Sequence, residues 1–140
     1  MKFKYVFLCF VFSLFSCETP MIRMVDEFYE NGNPKSVNYY SSIEKKQKLK
    51  TELFYKNGAL KMSGYFRNNQ KHGQWLYYYE NGFIADEAWF LNGKLHGRSS
   101  SSYKNGVLRS NGYYQHGKRV REWTYFDESG TLKKKVKYAR

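Results

Sequence analysis

Three histidines (His72, His96 and His116), a serine run from Ser99 to Ser102, and carboxylates at Asp86-Glu87, Glu122 and Asp127-Glu128 are the side chains that could do chemistry. Histidines could ligate a metal, a serine could act as a nucleophile, and two carboxylates could divide acid and base roles. Their spacing argues against each. His72 and His96 recur 24 residues apart while His116 is displaced by four from that phase. If that interval is two strands, in-phase histidines stand about 10 Å apart at ~4.8 Å per strand. A zinc ion needs its ligands within ~2.0–2.3 Å. The serines lack the Gly-x-Ser-x-Gly elbow, and the glycines fall at turn spacing instead of forming a phosphate loop. The carboxylates stand singly or beside a residue on the opposite strand face, with lysines as their expected partners. No catalytic residue, metal or cofactor is expected.

The elements that would position these residues follow from length and composition. A chain of 140 residues fits one folded domain with a short appendage. Two cysteines exclude a disulfide scaffold, and 14 Tyr, 11 Phe and 3 Trp exclude a chain without buriable surface. The formal charge of +12 makes the chain basic without naming a partner.

Met1-Lys2-Phe3-Lys4 is a short positive start, followed by an apolar run from Tyr5 to Phe12 and then Ser13-Leu14-Phe15-Ser16-Cys17. This is the outline of a secretory signal, too short for a membrane-spanning helix, which needs roughly 20 apolar residues. Leu14-Phe15-Ser16-Cys17 resembles the bacterial lipobox. The resemblance implies cleavage after Ser16 and acylation of Cys17, with residues 1–16 a signal peptide, 17–24 a lipidated tether and 25–140 the folded domain. Losing Lys2 and Lys4 lowers the charge from +12 to +10. Two acyl chains hold a bilayer durably, at ~0.8 kcal/mol per buried methylene.

The body repeats itself. Tyr29-Glu30-Asn31-Gly32, Tyr55-Lys56-Asn57-Gly58, Tyr79-Glu80-Asn81-Gly82 and Tyr103-Lys104-Asn105-Gly106 share one form, and Phe126-Asp127-Glu128-Ser129-Gly130 reads as a stretched fifth copy. The glycines are spaced by 26, 24, 24 and 24 residues. Asn-Gly between alternating strands predicts hairpins with type I′ turns. Leu60, Met62 and Phe66 alternate with Lys61, Ser63 and Tyr65; Trp75, Tyr77 and Tyr79 alternate with Gln74, Leu76 and Tyr78. Further strands are expected at 84–91, 97–104, 107–115, 120–127 and 131–138. The fold class is all-β: an open antiparallel meander of about ten strands in a single elongated, twisted sheet, with aromatic rings supplying most of the buried area. The insertion from Ser41 to Lys50 departs from the repeat, and Ile43–Leu49 could form a turn or two of helix.

The Tyr-x-Asn-Gly, Gly-Tyr and Gly-x-Trp elements, clearest from Tyr55 to Trp75, resemble the MORN repeat, specifically its bacterial YwqK-like variant, over roughly residues 25–138. The Ser99–Ser102 run departs by placing serines where Trp75 and its neighbours fall, which predicts a loosely packed unit or one turned toward a partner. The resemblance implies a β-hairpin array used as a binding scaffold, with lipid binding proposed for some members; the antitoxin label attached to the variant sits poorly with a lipobox. The expected role is a non-catalytic, lipid-anchored scaffold at the bacterial envelope, meeting a protein partner or an anionic surface. The alternatives are an immunity-type lipoprotein that neutralises a toxin, and a direct binder of anionic phospholipid head groups. Candidate binding residues are Lys45, Lys46, Lys48 and Lys50 in the insertion and the aromatics Trp75, Tyr77, Tyr79, Trp89 and Trp123. Lys133, Lys134, Lys135 and Lys137 are assigned to protection of the last strand's edge. Nucleic acid is not an expected partner, since an exported lipoprotein meets little of it. Metabolic labelling with palmitate should mark the wild type and leave Cys17→Ala unmarked; an unlabelled wild type would refute the anchor.

Overall fold

The structure, a computed structural model, describes residues 21–139; the leader, Cys17 and residues 18–20 of the tether lie outside the described residues. Ten strands follow one another: β1 (Ile22–Phe28), β2 (Pro34–Tyr40), β3 (Lys48–Phe54), β4 (Leu60–Arg67), β5 (Gln70–Tyr78), β6 (Ile84–Leu91), β7 (Lys94–Ser102), β8 (Leu108–Gln115), β9 (Lys118–Phe126) and β10 (Leu132–Tyr138). They form one antiparallel sheet in which sequence order is spatial order. The meander is as expected, with two boundaries moved. Ile22, Arg23 and Met24 pair with Tyr40, Tyr39 and Asn38, so the sheet begins within the residues assigned to the tether. The insertion forms no helix: Lys48–Lys50 join β3, and Ser41–Gln47 is a loop closed by the Ser41 amide donating to the Gln47 carbonyl at 3.0 Å.

The turns differ from expectation in a way the backbone explains. At the Tyr-x-Asn-Gly loops only the glycine takes positive φ, as at Gly58 (φ 85°); the preceding asparagines do not. Gly58 donates to the Tyr55 carbonyl and Tyr55 to the Ala59 carbonyl, the pattern of a type I turn closed by a glycine in the left-handed region. The asparagine works through its side chain instead. Asn57 Oδ1 accepts from the Ala59 amide at 2.9 Å, an Asx turn. Type I′ turns occupy the opposite edge, at Asn68-Asn69, Asn92-Gly93 and His116-Gly117, each with positive φ at both residues. Two-residue turns let β5, β7 and β9 start earlier than alternation alone suggests, at Gln70, Lys94 and Lys118. The recurring Lys61, Ala85 and Arg109 are skipped in the pairing with the preceding strand, which makes each a β-bulge after its loop; bulges add local twist.

Two ladders join one repeat to the next. The hydroxyls of Tyr29, Tyr55, Tyr79 and Tyr103 donate to the carbonyls of Phe54, Tyr78, Ser102 and Phe126, at 2.9, 2.6, 2.8 and 2.9 Å. Each acceptor immediately precedes the next loop. The fifth loop aligns on Asp127, not on Phe126: Gly130 donates to the Asp127 carbonyl as the other glycines do to tyrosine. Asp127 turns its carboxylate onto its own loop, accepting from Ser129 Oγ and from the Ser129 and Thr131 amides. The Ser129 hydroxyl and the Thr131 amide hold the Asp127 carboxyl below its usual range.

The second ladder is steric. Across the sheet, Asn38, Thr51, Gly64, Trp75, Ala88, Ser99 and Gly112 are consecutive register partners on one face. Trp75 lies on Gly64 so closely that a Cβ there would sit 2.1 Å from the indole, and Trp123 lies on Gly112 at 2.2 Å. Each indole Nε1 donates at 3.1 Å to a backbone carbonyl, Tyr65 for Trp75 and Tyr113 for Trp123. Two repeats lack the indole, and there Asn38 faces Thr51 and Ala88 faces Ser99: where the ring is absent, the glycine is too. The serine run is an ordinary part of β7, with Ser101 and Ser110 joined by a buried hydroxyl pair at 2.7 Å. Gly64→Ala should therefore destabilise the wild type by about 1–3 kcal/mol through overpacking. In a Trp75→Ser background the same change should be neutral or gain up to about 1 kcal/mol; equal penalties in both backgrounds, by urea denaturation, would contradict the pairing.

Candidate binding surfaces of the repeat sheet

Alternation divides the strands into two faces. The face that carries the indole row is the aromatic one. Phe66 and Phe90 meet Trp75 edge-on at 5.2 and 5.9 Å, and Tyr114 meets Trp123 at 5.0 Å. Trp75 and Trp123 are only 1 % and 3 % exposed. These two candidate contact residues are therefore core: a thin sheet has no second layer to bury, so its largest rings are covered by their own row. Tyr79 is tied into the hydroxyl ladder, and Tyr77 accepts from Lys71 Nζ at 3.2 Å. Trp89, on the opposite face, is 41 % exposed.

Cations lie over these rings. Lys71 Nζ is 4.0 Å from the Trp75 ring centroid and 5.0 Å from that of Phe90. Forty-eight residues on, Arg119 takes the same place over Trp123 at 4.6 Å. Leu95 holds this position in the repeat whose indole is Ser99, so cation and ring come and go together. Arg119 also donates to three phenols: Tyr114 at 3.4 Å, Tyr125 at 3.2 Å and Tyr138 at 3.3 Å. The bonds to Tyr114 and Tyr138 raise its pKa; in return the Arg119 hydrogen bond, then that from Tyr125, lowers the Tyr138 hydroxyl, while burial raises that of Tyr125. Among the described residues, Lys48, Lys71, Arg119 and Lys134 make no ion pair with a carboxylate.

The four lysines of the insertion do not form one patch. Lys45 pairs with Asp26 at 3.7 Å and lies over Tyr40 at 5.6 Å, and Lys46 pairs with Glu44 at 2.7 Å. Lys48 lies 5.5 Å over Phe66, on the aromatic face. Lys50 is on the other face, bonded to Glu52 at 2.6 Å between the rings of Tyr39 and Tyr65. Burial works to raise Glu52, but the bonds from Lys50 and Tyr39 prevail and its carboxyl falls below the usual range. Burial likewise opposes the charge on Lys50, and the Glu52 bond prevails and raises it. The terminal lysines lie on β10 as expected; Lys135 pairs with Glu122 at 3.0 Å and Lys134 covers Tyr125 at 5.1 Å.

His116 closes a type I′ turn, and its ring meets that of His96 at 5.2 Å. His72 and His96 lie in strands, each with a buried Nδ1 that has no partner. Among the described residues no three His, Cys, Asp or Glu side chains gather as a metal site would require.

The family model of the MORN repeat variant matches residues 71–85, 95–116 and 122–139. These stretches are similar to MORN-variant repeats. The matched segments contain Trp75, Ser99, Gly112 and Trp123 but not Gly64 or Ala88, and the unmatched residues before 71 also hold the pair Asn38 and Thr51 at the equivalent register, together with the insertion. No curated protein matches the chain. The cation-over-ring motif was not legible in the letters, since the bulge of β5 at Gly73 and Gln74 lies between Lys71 and Trp75; the 48-residue recurrence of both was the available signal. Replacing Arg119 by Gln should move the Tyr138 hydroxyl upward, because its lowering comes first from that guanidinium; an unchanged titration of the Tyr138 ring signals by NMR would show the contact is not made in solution.

Proposed function

We propose that this MORN-repeat chain is a non-catalytic scaffold, tethered at the bacterial envelope through acylated Cys17, that meets an anionic surface or an acidic protein partner with its aromatic face. One observation carries the reading: Lys48, Lys71, Arg119 and Lys134 are held against rings and left without carboxylate partners among the described residues. Lys71 on β5 and Arg119 on β9 are four strands apart, about 19 Å. Charges so separated suit an extended surface better than a small anion. Ring contacts fix the side chains in advance and reduce the entropy lost on binding. The tether supports the same geometry. Four residues lie between Cys17 and Ile22, and the five Cα steps reach at most about 18 Å. Acylation would thus keep the sheet close to a membrane surface and raise the local concentration of its charges there.

Each basic residue near an anionic membrane contributes ~1 kcal/mol. The Cys17→Ser protein made without residues 1–16 should therefore sediment with phosphatidylglycerol-containing vesicles at low salt and be released as ionic strength rises. Lys71→Gln with Arg119→Gln should weaken that binding, or retention of an acidic partner from envelope extracts, by about tenfold or more. Equal retention by the double variant, or equal binding to purely phosphatidylcholine vesicles, would exclude the aromatic face as the binding surface.

A further inference from the structure

We propose that the opposite face carries a second, chemically distinct site: a groove at Trp89 that takes a short neutral oligosaccharide. The inference rests on reading the chain as a binding module and adds a ligand class on a face the charged stripe does not use. The groove has a volume of about 790 Å³ and lies across β6 to β9. Small-molecule sites span about 300–1,000 Å³. Glu87, Ser100 and Asn111 are consecutive register partners within it, and Trp89, Arg98 and Glu122 are among the residues of its walls.

The repeat itself shows how the groove arises. Ser100 stands where the preceding repeat has Leu76 and the following one Thr124, so a larger branched side chain has been replaced by a hydroxymethyl. Trp89 stands where the neighbouring repeats have Tyr65 and Tyr113. It is the one indole of the three in the chain that reaches solvent, being 41 % exposed, and it is seated against Gly97, where a Cβ would come within 3.2 Å of its own Cβ. The groove thus combines a broad exposed ring with a shortened side chain.

Its chemistry narrows the ligand. Glu87 accepts from Gln74 at 2.7 Å, Arg98 donates to the Tyr113 hydroxyl at 3.1 Å and Glu122 pairs with Lys135 at 3.0 Å. Each is held in place and still has lone pairs or N–H groups to offer. A purely apolar ligand would strand these groups, at about 1–3 kcal/mol for each one left unsatisfied. An anion would meet two carboxylates against one guanidinium. An extended peptide would find no free main-chain groups here, because β6 to β9 are paired on both sides. A sugar ring satisfies every condition: its C–H face stacks on the indole, and its hydroxyls both give and accept hydrogen bonds at the carboxylates, guanidinium, amide and serine.

The test uses the full-length protein in a detergent without a sugar head group, titrated by calorimetry with chitotriose, cellotriose and maltotriose. At least one should bind saturably with a dissociation constant on the order of 1 mM or tighter, insensitive to added salt, and should shift Trp89 fluorescence. Ser100→Leu, which restores the residue of the preceding repeat, should weaken binding tenfold or more with an unchanged circular dichroism spectrum; Trp89→Tyr, also borrowed from the neighbours, should weaken it while keeping the fold. The proposal is overturned if no trisaccharide binds at about 10 mM, if binding survives both substitutions, or if only an acidic saccharide such as trigalacturonate binds and salt releases it. Lys71→Gln with Arg119→Gln should leave sugar binding intact, so failure here and failure of the charged-face reading are separately visible.

Discussion

A single layer of strands must bury its rings without a second layer to press against, and the contact that resolves this is an indole laid flat on a glycine. At Gly64 and Gly112 there is no room for a methyl group, because the ring occupies the space above the backbone. The indole N–H then reaches a main-chain carbonyl that the close approach brings within 3.1 Å. Edge-on aromatics and a cation close over it from the sides and top. Remove the ring and the same register accepts Ala88 and Ser99, so the pairing of strands does not depend on the indole; the burial does.

The division of labour between the two sheet margins follows from turn chemistry. One margin uses three-residue loops whose tyrosines reach forward to the next unit, and the other uses tight I′ turns. Those turns are also linked forward, Gly93 donating to the Lys71 carbonyl and Gly117 to the Leu95 carbonyl. Both margins are thus cross-linked along the array by hydrogen bonds that add to the strand ladders already joining the units, and these strengthen the nearest-neighbour coupling of a repeat protein.

The meander, its strand count and its period were legible because Gly32, Gly58, Gly82, Gly106 and Gly130 mark one loop per unit. The turn type was not, because Asn-Gly signals a tight turn only when both residues adopt positive φ, and here the asparagine side chain stabilises a longer loop with the glycine alone in that region. Sequence also placed Trp75, Tyr77, Trp89 and Trp123 in one class. Alternation separates Trp89 from the others, but only the register shows that two of the three indoles are sealed by glycines. The lysines of the insertion read as a cluster since they are close in sequence; the strand that begins at Lys48 sends them to opposite faces, where neighbouring carboxylates and rings take them up.

The side chain at position 127 has a bearing on how one unit is linked to another. Tyrosine in every earlier loop extends a hand to the unit that follows, and a tyrosine at the fifth would offer the same hand to any hairpin beside it. Aspartate is too short to reach across and finds its partners within its own loop. The forward hydroxyl link made by every earlier loop is thus replaced at this one by bonds that stay inside the loop, and a unit placed after it would have to join through its strand pairing alone on this margin.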